Sequence, residues 1–80
     1  MPRVAIDVML KDEILDPQGR AVESAMPGLG YDGVEHVRIG KHLELVVDAE
    51  GDDLAALVAS MCADYLVNPV IETYQWRVLD

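Results

Sequence analysis

Fifteen aspartates and glutamates against six lysines and arginines give this 80-residue chain a formal net charge of −9. That balance excludes nucleic acid and anionic membrane surfaces as partners, because few cations are available to neutralise phosphates and the long-range field repels them. A chain this short buries only about 60% of its unfolded surface, so a hydrophobic fraction of 51% with no Phe points to a buried interface beside a small core.

Residues Arg3 to Lys11 read as a strand, with Val4, Ile6, Val8 and Leu10 alternating with Ala5, Asp7, Met9 and Lys11. The second set is half apolar, so the strand is expected to be central or covered on both faces. A helix start follows. Asp16 is placed to accept hydrogen bonds from the free first-turn amides, and Pro17 suits the first helical position, where its missing N–H was unpaired anyway. Gln18-Gly19 is unusual, because glycine in a first turn costs about 1 kcal/mol relative to alanine. Either close packing or the approach of a partner to the backbone accounts for it.

Val22, Ala25, Met26 and Leu29 form one helical face. Pro27 interrupts it and should loosen the last turn, and Gly28, Gly30 and Asp32-Gly33 supply stop and turn signals. Val34 to Gly40 is expected to be a second strand. After a turn at Gly40-Lys41, His42 to Asp48 is expected to be a third, with Leu43, Leu45 and Val47 on one side. A polar loop then leads to a helix capped by Gly51 or Asp52 and running to about Leu66. Leu54, Leu57, Val58, Met61, Tyr65 and Leu66 form its stripe, and Asp52 and Asp53 lie at its positive end. Asn68-Pro69 stops it. Val70 to Leu79 reads as the last strand, with Glu72 out of place on its apolar face.

The order strand, helix, strand, strand, helix, strand predicts an α+β, ferredoxin-like βαββαβ domain over residues 1–80. Its sheet would be four-stranded and antiparallel, with both helices on one face. The other face would carry Ala5, Met9, Val46, Ile71 and Leu79, which is too apolar for water and predicts dimerisation through it. A lone cysteine, Cys62, forms no internal disulfide. No apolar run is long enough to span a bilayer and no leader is visible, so a cytoplasmic protein is expected.

Chemistry-bearing constellations are sparse. His36 and His42 lie on neighbouring predicted strands but lack further ligands at zinc spacing, and are read as surface or cross-strand residues. Cys62 reads as a small core residue. Asp12, Glu13 and Asp16 lack the spacing of a calcium loop and read as a solvated connection plus a cap. Nucleotide-binding, zinc-protease and serine-hydrolase signatures are absent. Among ferredoxin-like activities, the first loop lacks the cysteines of a copper chaperone and the arginine of an acylphosphatase. The predicted sheet lacks the aromatics and basic surface of an RNA binder. What remains is a module that binds other proteins, or a dimeric regulatory domain that binds a small molecule near Gln18-Gly19.

Several segments agree in register with one family. Leu10-Lys11, Leu15-Asp16-Pro17-Gln18-Gly19 and Ala21-Val22 resemble the small PurS subunit of phosphoribosylformylglycinamidine synthase. So do Leu29-Gly30-Tyr31 followed by Val34, Val37-Arg38 and Gly40-Lys41. Met61-Cys62-Ala63 with Leu66, and Asn68-Pro69-Val70-Ile71-Glu72 with Tyr74, are similar to its second helix and last strand. The resemblance runs from about Val4 to Tyr74, with Pro27 as a departure.

It implies a chain without catalytic groups, metal or cofactor of its own, one of three in a purine-biosynthetic ligase. A glutaminase chain would release ammonia, and a synthetase chain would use ATP and magnesium to activate formylglycinamide ribonucleotide. The small subunit would form a homodimer or tetramer and bridge the other two, supporting ammonia transfer. Asp16, Gln18, Gly19 and Arg20, with Asn68 and Glu72, are the expected contacts to those partners. Gly19 and Glu72 are the members that core packing explains poorly.

Overall fold

The β1 strand, Arg3–Leu10, alternates as the sequence requires: Val4, Ile6 and Val8 are buried on one face. The computed structural model describes all 80 residues, Met1 to Asp80. β1 is central, flanked by β2 (Lys41–Val46) and β3 (Glu72–Val78) in an antiparallel sheet of order β2-β1-β3. Ile6 lies opposite Leu43 on one side and Trp76 on the other.

Two helices complete the fold. Helix α1 is Pro17–Ala25 and α2 is Gly51–Met61. Leu54 and Val58 of α2, with Cys62 beyond it, recur every fourth residue and pack on Val4, Ile6 and Val8. Val47 and Val67 close the same cluster. Fully burying one such aliphatic side chain stabilises by about 1.5–3 kcal/mol.

The architecture departs from the sequence expectation in four respects. The sheet has three strands, not four. Val34 to Gly40 forms no strand, and no backbone-to-backbone hydrogen bond reaches residues 32–40. Side chains take two of its amides instead: Val37 N–H donates to Glu23 Oε1 at 3.3 Å and Ile39 N–H to Asp16 Oδ2 at 2.8 Å.

Secondly, only α2 covers the sheet. No residue of α1 joins the core, and Gly19 is its only buried residue. The chain is drawn out to 48 × 28 × 14 Å with a radius of gyration of 16.1 Å, against about 12 Å for a compact chain of this length.

Thirdly, α2 is preceded by Glu50, whose side chain makes no capping bond, so neither Gly51 nor Asp52 is the cap. Gly51 enters the helix at φ +59°, a conformation glycine adopts without steric cost. Asp52 and Asp53 do lie in the first turn.

Fourthly, the helix widens into a π turn over Cys62–Leu66. The extra residue per turn swings Tyr65 out of the stripe to 89% exposure and leaves Cys62 buried in the core. α1 meets its punctuation as expected: it ends at Ala25, Pro27–Leu29 forms a tight 3₁₀ turn, and Gly30 and Gly33 turn the chain at positive φ.

Candidate partner-contact site

Asp16 organises the junction where β1 ends and α1 begins. Its carboxylate is 7% exposed and accepts two backbone hydrogen bonds, from Gly19 N–H and from Ile39 N–H, both at 2.8 Å. The first is the helix cap; the second ties the incoming β2 segment to α1. These two amides, Ile39 foremost, hold the Asp16 carboxyl below its usual range, burial opposes them, and the Arg38 guanidinium adds to the lowering.

Arg38 completes the latch. Nη2 donates to Leu10 O at 2.6 Å and to Lys11 O at 3.1 Å, and Nη1 to Asp12 Oδ1 at 3.1 Å. Its buried Nε has no hydrogen bond but lies 3.6 Å from Asp16 Oδ2, an ion pair. Gly19 belongs here for a steric reason. A Cβ at this position would run into the carbonyl oxygen of Val37 and the Asp16 carboxylate. Close packing therefore accounts for the glycine, with the packed neighbour being the loop and not a strand.

Glu72 is accounted for as well. Oε1 accepts from Asn68 N–H at 2.7 Å, while Glu72 N–H donates to Asn68 O at 2.8 Å, closing the turn into β3. Asn68 Oδ1 accepts from Val70 N–H at 3.1 Å. Glu72 Oε2 also lies 3.8 Å from Lys41 Nζ. Asp16, Gln18, Lys41 and Glu72 together line an open cleft of about 450 Å³, floored by Val8 and Leu10. Arg20 lines a separate hollow with Glu23 and Arg38, and Asn68 is exposed beyond the cleft.

The open sheet face differs from its apolar expectation. Ala5 is fully buried, Met9 and Val46 are exposed, and Ile71 and Leu79 flank β3 without belonging to it. The centre of the face is ionic. His42 sets Nδ1 2.5 Å from Asp7 Oδ1 and Nε2 2.8 Å from Glu44 Oε2. Arg77 Nη1 donates to Asp7 Oδ2 at 2.6 Å. Hydrogen bonding to Asp7, then to Glu44, raises the His42 imidazole above its ordinary value, while His42 lowers both carboxyls.

His36 stands apart, 91% exposed beside Glu35. No group of three or more His, Cys, Asp or Glu is arranged to hold a metal ion. Cys62 is buried, and burial pushes its thiol up.

Sequence reasoning singled out Asp16, Gln18 and Glu72 but missed Arg38, Lys41 and the Asp7–His42–Glu44 cluster. Alternation along each strand does place Asp7, His42 and Glu44 on one face, so that cluster had a signal. Arg38 stood out only within the family resemblance, and periodicity gave no sign of its pairing, since it reaches Asp16 across 22 residues of sequence.

The PurS family model, described as phosphoribosylformylglycinamidine (FGAM) synthase, matches residues 3–80. The chain is similar to phosphoribosylformylglycinamidine synthase subunit PurS of Bacillus subtilis (strain 168), at 45% identity over 78 residues covering 98% of this chain and 93% of that one. It superposes on the solved structure of B. subtilis PurS with a TM-score of 0.90 at 44% identity, covering 100% of both chains. A chain in the structure of PurLQS from Thermotoga maritima gives 0.85 at 35% identity, covering 99% of this chain and 100% of that one.

Proposed function

The chain belongs to the PurS family of phosphoribosylformylglycinamidine synthase, and from that membership we propose that it is the non-catalytic subunit bridging the glutaminase and ATP-dependent synthetase chains of that ligase. The observation that carries the proposal is likeness along the whole chain to a component of PurLQS.

In this reading the 80 residues act as one cytoplasmic PurS-like unit. ATP and magnesium act in the synthetase chain. The subunit's task is alignment, because ammonia is largely protonated in neutral water and loses nucleophilicity. Bringing two active sites together and excluding water raises its effective concentration as the free base.

Self-association is the second part of the proposal. Helix α1 exposes Val22, and Leu29 and Tyr31 beyond it are more than half exposed, so its apolar face has no cover within the chain. A second copy supplies that cover. The ferredoxin-like βαββαβ arrangement would belong to the assembled state, with Val34–Gly40 adding to the free edge of β2 in a second copy. What supports this is the sheet order, β2-β1-β3, which is a ferredoxin-like sheet lacking that one edge strand.

Arg20→Ala and Glu72→Gln test the partner contacts. Glutaminase and synthetase binding is measured by co-elution, and glutamine-dependent turnover is measured beside ammonia-dependent turnover. Loss of the glutamine reaction with retention of the ammonia reaction is expected; unchanged assembly and turnover in both variants would remove these residues from the contact. Thermal stabilisation of the chain by a nucleotide or amino acid alone would favour the small-molecule-binding domain instead.

A further inference from the structure

We propose that the open sheet face carries a proton-operated handover, in which loss of a proton from His42 passes the Glu44 carboxylate from the imidazole to Arg3 while Asp7 keeps its hold on the ring. The device lies within one copy of the chain and does not rest on the self-association reading.

The geometry around His42 carries it. Both ring nitrogens face carboxylate oxygens, Nδ1 toward Asp7 Oδ1 on β1 and Nε2 toward Glu44 Oε2 on β2. Only the imidazolium donates to both; a neutral imidazole has one N–H and must set a lone pair against the other carboxylate.

Reach decides which contact survives. Asp7 stands directly opposite His42 in the β1–β2 pairing. Its carboxylate is short, sits on the central strand, and is fixed from β3 by Arg77 Nη1 on Oδ2 at 2.6 Å. It cannot withdraw without breaking that ion pair. Glu44 is longer and half exposed, on a strand with a free outer edge. It also has somewhere to go. Arg3 lies diagonally across the strand pair, with Nη1 3.9 Å from Glu44 Oε1. The only other carboxylate beside Arg3 is that of Asp80, 3.7 Å from Nε. Neither distance is a hydrogen bond, so the guanidinium is free to close on Glu44.

The handover changes what the face presents. With His42 protonated, both ring nitrogens are satisfied and Glu44 is drawn to the centre. With His42 neutral, Nε2 becomes a bare acceptor and the carboxylate moves toward the Arg3 end of β1. The Asp7 tie across the strands holds in both states, so pH alters the surface and leaves the strand register in place.

The direction follows from the donor count. Hydrogen bonding to Asp7, then to Glu44, lifts the His42 titration above its ordinary 6.5. The Glu44 contact is complete below that ordinary value and is given up as pH rises through the lifted one.

NMR of the full, unaltered chain between about pH 5.5 and 9 tests this. Ring ¹⁵N shifts should show both nitrogens protonated at low pH and the Nδ1–H tautomer at high pH. The Glu44 carboxyl carbon and the Arg3 Nε–H should move with the His42 midpoint, while the Asp7 carboxyl stays comparatively still. His42→Gln should abolish the Glu44 and Arg3 responses, and His36→Gln should keep them. An Nε2–H tautomer at high pH, or a Glu44 carboxyl indifferent to the His42 midpoint, would overturn the handover. So would a Glu44 response that appears only at high protein concentration, since it would then arise between copies.

Discussion

Asp16 does at the residue scale what a strand pairing would otherwise do. One carboxylate caps α1 and anchors the loop leading into β2, while Arg38 pins that loop to the end of β1. Gly19 is the space through which the two meet. Gly19→Ala should therefore destabilise the chain by about 1–3 kcal/mol, as overpacking does, measured by urea unfolding. The lowered Asp16 carboxyl sets a pH dependence. Its contribution is complete above the unfolded carboxyl value, near 3.8, and is lost as pH falls through the depressed folded value. Asp16→Asn should lower Tm by several degrees at neutral pH, since its NH₂ would face one of two backbone donors. The gap to the parent should narrow under acid. A constant gap from neutral to acid pH would contradict the assignment.

At the scale of elements, the two helices play different parts. α2 buries Leu54 and Val58 against β1 and belongs to the core. α1 has an apolar face at helical spacing, yet contributes nothing to that core. Substitutions should separate the two. Ile6→Ala, at a fully buried position of β1, should cost about 2–5 kcal/mol and unfold much of the population. Val22→Asp, at a position 36% exposed, should change the stability of the monomer by less than about 0.5 kcal/mol while weakening self-association several-fold. Denaturation at low protein concentration and light scattering at high concentration measure the two effects independently.

For the whole molecule, a radius of gyration of 16.1 Å means that much apolar surface stays outside the single core cluster. Anything that binds the folded state alone raises apparent stability by mass action. Tm should therefore climb by several degrees over a hundredfold rise in protein concentration, about the span over which such linkage becomes measurable. A Tm indifferent to concentration would argue against association. The net charge of −9 opposes that association at long range, so moderate salt should tighten it by screening.

The sequence by itself determined the local features. Period-two alternation in Arg3–Leu10, the Asp16-Pro17 helix start, the Pro27 and Gly30 stop and the buried stripe of α2 all follow from dihedral preference and side-chain spacing. These act over a few residues and are legible one segment at a time. Tertiary structure alone decided the rest. Val34–Gly40 has strand composition, but its amides are taken by Glu23 and Asp16, and the free β2 edge stays bare. Tyr65 has core spacing, but a π turn rotates it to solvent. Glu72 breaks the apolar pattern of its strand, yet the Asn68 turn and Lys41 satisfy it. In each case the deciding bond or turn geometry joins groups that periodicity does not relate, and only the folded chain brings them together.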